Sequence, residues 1–207
     1  MTRIILVRHG HVDWIIPERF RGRAELALSA VGQAQAKATA RLIAASWQLD
    51  ALYTSPLGRA RETAAAVAEP FGIEPQAVEA LSDIDYGDWQ GLTREAAVER
   101  WPQEVALWFR APHLARIPGG ETLAAVLSRT SAALHDILLR HPSDAVAILG
   151  HDSVNRVMLL HAMELALSRY WHFRQDPCAV NELFFDDDAF VIAGINATQH
   201  LAGLQRA

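Results

Sequence analysis

The aliphatic run Ile4-Ile5-Leu6-Val7, with Arg3 before it and Arg8-His9-Gly10 after it, is too short for a helix and reads as a strand buried on both faces. The same pattern returns at Ala145 to Leu149, closed by Gly150-His151-Asp152. Leu52 and Tyr53 belong to a shorter strand ending at Thr54-Ser55-Pro56, and Gln76 to Leu81 is a candidate for another. Between these runs the apolar spacing changes to three and four. Val31, Ala34, Ala38, Leu42 and Ala45 predict an amphipathic helix capped by Ser29. A second helix, with Ser55 as its cap and Pro56 in its first position, is predicted to run to about Phe71 and stop at Gly72. Thr93 to Arg110 reads as helix broken at Pro102, and Leu123, Val126, Leu134 and Ile137 mark the buried face of a long helix reaching His141. A further helix restarts at Ser153, and Val180 to Phe185 with Phe190 to Ile195 predicts a hairpin turned through Asp186 to Ala189.

Alternating strands and helices imply an α/β protein, a three-layer sandwich with a mainly parallel central sheet and helices on both faces. At 207 residues and 51% hydrophobic, the chain is expected to form one domain over residues 1–207. No leader pattern and no membrane-length apolar stretch is visible, so the expected setting is the cytoplasm, with no membrane partner. The lone Cys178 cannot form an internal disulfide and reads as a small packed hydrophobe. A net charge of -5 without basic runs argues against nucleic acid. Arginine dominates the cations, Lys37 being the only lysine, a weak hint of forked anion recognition.

Chemistry concentrates at the strand ends. In open α/β sheets that edge is where ligands bind. His9 and His151 each follow a strand, and Arg59 opens the helix after another. If those ends are adjacent, Arg8, Arg59, His9 and His151 share one pocket. Two guanidiniums can grip phosphoryl oxygens while an imidazole attacks phosphorus in line, with no metal needed.

These residues resemble the histidine phosphatase superfamily, which includes the cofactor-dependent phosphoglycerate mutases. The similarity begins with Leu6-Val7-Arg8-His9-Gly10 and continues through Arg19-Phe20-Arg21-Gly22, the helix opening at Leu28-Ser29, and Thr54-Ser55-Pro56-Leu57-Gly58-Arg59. It extends to Leu81, Asp83, Gly87, Trp89 and Gly91, then Pro118-Gly119-Gly120-Glu121-Thr122, then Gly150-His151. The resemblance implies a phosphoglycerate mutase-like fold and a phosphomonoester hydrolase with no cofactor, acting on a small phosphorylated metabolite. It implies His9 as the nucleophile that becomes phosphohistidine, with Arg8, Arg59 and His151 binding the phosphoryl group. Asp83 would protonate the leaving oxygen and then activate water, with Asp85 and Asp88 as alternatives. Mutase-type phosphoryl transfer is the alternative within the same chemistry.

Some positions depart from the family pattern. His11-Val12 stands where Glu-Thr or Gln-Thr is common, and Ile15 where an asparagine would bind phosphate. Arg21, beside Gly22, could replace that contact. Asp152 stands where glycine is usual; its carboxylate is expected to cap the next helix, leaving its backbone N–H toward the pocket. No equivalent of the mutases' arginine and lysine cluster for a substrate carboxylate is evident. Trp14 and Trp89 are expected to line the pocket, and Trp101, Trp108 and Trp171 to anchor core or lid. His135 and His161 are expected on helix surfaces or packed, while His113, His141, His172 and His200 show no partner. Competing readings are a dinuclear metal hydrolase built on His9, His11 and Asp13, a non-catalytic module, and a protein phosphatase. The oligomeric state stays open, a homodimer included.

Overall fold

The computed structural model describes residues 1–15 and 17–204. Six strands form one sheet: β1 (Thr2–Arg8), β2 (Ala51–Thr54), β3 (Gln76–Ala77), β4 (Ala145–Gly150), β5 (Val180–Asp186) and β6 (Ala189–Ala197), in the spatial order β3-β2-β4-β1-β5-β6. The first four are mutually parallel, and β5 and β6 add an antiparallel edge. Six α-helices accompany them: α1 (Ala30–Ser46), α2 (Gly58–Ala68), α3 (Arg94–Arg100), α4 (Pro102–Arg110), α5 (Leu123–Arg140) and α6 (Asp152–Ala162).

The continuous apolar runs follow from a sheet covered on both sides. Side chains alternate along a strand, so Ile4 and Leu6 of β1, with Val146 and Ile148 of β4, pack against α5 and α6. Ile5, Val7, Ala147 and Leu149 point the other way, into a second core with Ile43 of α1 and Val67 of α2. This is the α/β sandwich the sequence predicts.

Helix starts match where a hydroxyl can reach a free backbone donor. Ser29, Thr93 and Thr122 accept from the N–H groups of Gly32, Ala96 and Ala125. Ser55 does not behave this way. The second helix begins at Gly58 with Leu57 as its cap residue, and Ser55, lying before it, accepts the Leu57 N–H at 3.2 Å and sets its hydroxyl 2.8 Å from His151 Nε2. The proposed strand Gln76 to Leu81 shrinks to two residues and is followed by a 3-10 turn over Glu79–Leu81. The hairpin turns as predicted, with Asp187 and Asp188 both at positive φ (46° and 61°), the geometry of a two-residue turn.

The chain passes from β1 to β2, leaving a gap that β4 later fills. Arg8 is thereby paired with Gly150 and Thr54 with Leu149, so three parallel strands end side by side. The His9 N–H bonds the Gly150 carbonyl at 3.0 Å, and the Ser55 N–H bonds the Leu149 carbonyl at 3.0 Å. The start of α1 presses on the end of β1 so closely that a Cβ on Gly32 would lie 2.1 Å from the His11 carbonyl oxygen.

That contact gives a sign test. Alanine in place of glycine in a helix ordinarily stabilises by about 1 kcal/mol. Here Gly32→Ala is expected to destabilise by about 2 kcal/mol or more, since backbone must move to admit the methyl. Urea unfolding checks this, and a stabilised variant would contradict the close packing.

Candidate active site

His9 leaves the end of β1 almost fully buried. Its Nδ1 sits 2.7 Å from the Gly10 carbonyl oxygen. A carbonyl can only accept, so Nδ1 carries the hydrogen and Nε2 presents a lone pair. The Arg59 Nε–H donates to that Nε2 at 3.2 Å. Burial, and then the nearby charges of Arg59, His151 and Arg8, hold the His9 ring well below the usual histidine range, so it stays neutral.

Arg59, in the first turn of α2, is wholly buried. Besides His9 it donates to the carbonyls of Ala24 (2.8 Å) and Gly22 (2.7 Å) and to Asp83 Oδ2 (3.1 Å). Gly22 sits at φ +49°, with Gln90 Oε1 and the Ile84 carbonyl 3.0 and 3.1 Å from where a Cβ would stand. Only glycine allows that carbonyl to face Arg59 without strain.

Asp83 reaches the same point from the acid loop. Its Oδ1 accepts the Ile84 N–H at 2.9 Å and a short bond from the Ser153 hydroxyl, while Oδ2 faces Arg59. His151 Nδ1 stands 3.7 Å from that oxygen, and its ring meets the His9 ring edge-on at 5.2 Å between centroids. Ser55 Oγ accepts from the Leu57 N–H, so its hydroxyl hydrogen is available to His151 Nε2. Burial and then Arg59 and Arg8 lower the proton affinity of His151 well below the usual range as well.

Arg8 completes the centre. Its guanidinium donates to the Gln175 carbonyl and lies 3.6 Å from Asp152. The helix cap expected of Asp152 is not made: His151 holds the cap position, and Asp152 is the first residue of α6. Its carboxylate turns into the pocket because Arg156, one turn along, draws it to 3.0 Å.

A cavity of about 530 Å³ has Arg8, Arg21, Asp83, Asp152 and Ser153 in its wall, while His9, Arg59 and His151 are buried and do not themselves line it. Arg21 also donates to the Trp14 carbonyl at 3.3 Å. The side chain of Ile15 lies outside the described residues. Asp85 accepts from the Gly87 N–H and, like Asp88, is absent from the cavity wall. Trp14 is absent from the cavity wall, and Trp101 and Trp108 join the core as expected. Trp89, expected at the pocket, is core and packed on Phe20, while the buried Trp108 also borders the cavity beside Trp171. Sequence reading assigned Ser55 and Ser153 only to helix starts and missed their bonds to His151 and Asp83. It missed an arginine cluster too: Arg19, Arg94, Arg156 and Arg174 converge on the cavity from four separate segments.

Other groups stand apart. Cys178 is buried, and its thiol is pushed up to about 12, unfit for nucleophilic work. His141 acquires partners invisible in sequence, Tyr53 and Asp144. His135 and His161 are exposed. His11 bonds Ser29 through Nδ1, and no three potential metal ligands gather among the described residues. No helix among them is long and apolar enough to cross a membrane.

The comparisons with known proteins agree with this geometry. The family model of the histidine phosphatase superfamily (branch 1) matches residues 4–198. Phosphoserine phosphatase 1 of Hydrogenobacter thermophilus is 32% identical, over 97% of this chain and 95% of its own length. A 2,3-bisphosphoglycerate-dependent phosphoglycerate mutase of a Methylobacterium strain is 33% identical, over 77% of this chain and 81% of its own. The solved structure of Bacillus stearothermophilus YhfR superposes with a TM-score of 0.92 at 28% identity, covering 97% of this chain and all of that one.

The buried histidines carry a consequence for stability. Below pH 6.5 the unfolded chain protonates both rings, whereas the folded chain keeps them neutral. Stability is therefore complete above the unfolded value and is lost as pH falls beneath it, by at most about 1.4 kcal/mol per pH unit for each ring. In phosphate-free buffer, Tm is expected to drop between pH 7.5 and 5.5, and His9→Gln to reduce that drop. Equal slopes for the two proteins would contradict the neutral assignment of His9.

Proposed function

Because the chain belongs to the histidine phosphatase superfamily, we propose that it hydrolyses the phosphomonoester of a small cytoplasmic metabolite through a phosphohistidine on His9. The observation that carries this reading is the Nε2 lone pair of His9, fixed by the Gly10 carbonyl and set among Arg59, Arg8 and His151. The whole of residues 1–207 acts as one unit in this proposal.

In the proposed reaction, Nε2 attacks phosphorus as the P–O bond to the alcohol breaks. Asp83 takes up a proton as the phosphate's negative charge arrives beside it, and gives that proton to the departing oxygen. Arg8, Arg59 and His151 would supply donors to the three outer oxygens, where charge accumulates, the Arg59 Nε–H turning from His9 Nε2 to the phosphoryl group as that lone pair is used. Arg21 supplies a further cation in the cavity wall. The ionised Asp83 then takes a proton from water, which attacks phosphorus, and the P–N bond returns its electron pair to Nε2. The Gly10 carbonyl supports the ring throughout, since Nδ1 keeps its hydrogen while positive charge spreads over the phosphorylated imidazole.

The phosphoserine phosphatase relative supports water as the acceptor and a small metabolite as the substrate. Transfer back to an organic acceptor, as in the mutase relative, is the second reading. His9→Ala is expected to lose at least about a thousandfold in turnover. Acid quenching of the wild type during turnover is expected to trap phosphate on His9. Normal turnover by the variant, or label on another residue, would contradict the mechanism.

Asp83→Asn is expected to slow alkyl phosphates far more than 4-nitrophenyl phosphate, whose leaving group needs no proton. Equal losses on both would remove Asp83 from the acid role. Phosphate release measured beside transfer to added alcohols separates hydrolysis from mutase chemistry.

A further inference from the structure

The cavity extends well beyond the phosphoryl end. From Arg8 its wall continues through Asp152 to Arg156, whose guanidinium carbon lies 5.3 Å from the centre of the Trp171 ring. Phe109 stacks on Trp171, with planes 16° apart and centroids at 5.8 Å. The Arg94 guanidinium sits 4.1 Å over the Phe109 ring. Trp108 meets Trp171 edge-on, and the Trp171 Nε1–H donates to the Trp108 carbonyl at 3.0 Å, so the indole is held in place. It nevertheless remains 38% exposed.

Phosphoryl transfer needs none of this wall. A phosphate on a three-carbon body would leave much of 530 Å³ unfilled, a volume in the range that accommodates a larger organic ligand. Charge argues that the remaining space does not select a second anion. Six arginines and four carboxylates line the cavity, an excess that a phosphoryl dianion already neutralises. Arg94 is exposed and, among the described residues, has no carboxylate partner; what holds it is the Phe109 ring. A guanidinium with one side on a ring and the other open receives a second π face readily.

On the footing of the phosphatase reading, we infer that the substrate's alcohol portion carries a planar aromatic or heteroaromatic ring, received at the cavity mouth by the Trp171, Phe109 and Arg94 column. The phosphate enters the buried centre, and the ring becomes the next layer of the stack.

Two esters of matched skeleton and leaving group isolate planarity: 2-phenylethyl phosphate and 2-cyclohexylethyl phosphate, with O-phosphoserine as a small reference. The wild type is expected to favour the phenyl ester in kcat/KM by about tenfold, the size of one good stacking contact. Arg94→Ala, a change at the exposed end of the column, is expected to bring that ratio near one, and Arg94→Lys, which keeps the charge but not the plane, to keep only part of it. Equal kcat/KM for the two ring esters in the wild type, or a ratio unchanged in Arg94→Ala, would overturn the inference while leaving the phosphatase reading intact. Absence of phosphate release from all three esters would overturn both.

Discussion

A guanidinium with no exposure to water is the constraint on which the site depends. Burying Arg59 is costly unless its donors are matched, and they are matched by groups from three separate stretches of chain. Satisfying this one side chain brings together the end of β1, the loop through Gly22 and Ala24, and the acid loop at Asp83. Burial, and then that same charge, keeps protons off His9 and leaves Nε2 with its lone pair. Fold and chemistry therefore meet in a single residue at the start of α2.

A second network balances the first. Asp152 lies between Arg8 and Arg156, so the unliganded pocket holds its cations against carboxylates rather than against water. In the proposed reaction an incoming dianion would exchange these internal contacts for its own oxygens among charges the fold already holds together, the condition under which electrostatic stabilisation contributes most to a transition state. The inward carboxylate of Asp152 is thus compatible with an anionic ligand, because two arginines share it.

Much of this was legible in the sequence wherever a local rule coincided with a tertiary demand. Period-two burial on a doubly covered sheet makes Ile4 to Val7 and Val146 to Leu149 uniformly apolar, and Ser29, Thr93 and Thr122 cap as isolated helices would. Local rules failed where a distant group competed for the same atom. Ser55 had the form of a cap beside proline, but the helix starts later, at Gly58, and the hydroxyl meets both the Leu57 N–H and His151. Asp152 had the position of a cap, but Arg156 takes its carboxylate. Nearness along the chain also misled for Trp89, which sits in the acid loop yet turns into the core. The aromatic column joins α3, α4 and the segment after α6, a meeting that no single window of sequence contains.

The central claim is that His9 is a neutral imidazole with hydrogen on Nδ1 and an unprotonated Nε2 whose lone pair accepts the Arg59 Nε–H, held so by Gly10 and Arg59. Nitrogen-15 NMR of the ring in the unliganded protein at pH 6 to 7 tests it directly. We expect a protonated Nδ1 and an unprotonated Nε2 across that range, with no conversion to imidazolium. An Nε2–H tautomer, or a ring that takes up its second proton near pH 6.5 as a free histidine does, would contradict the account.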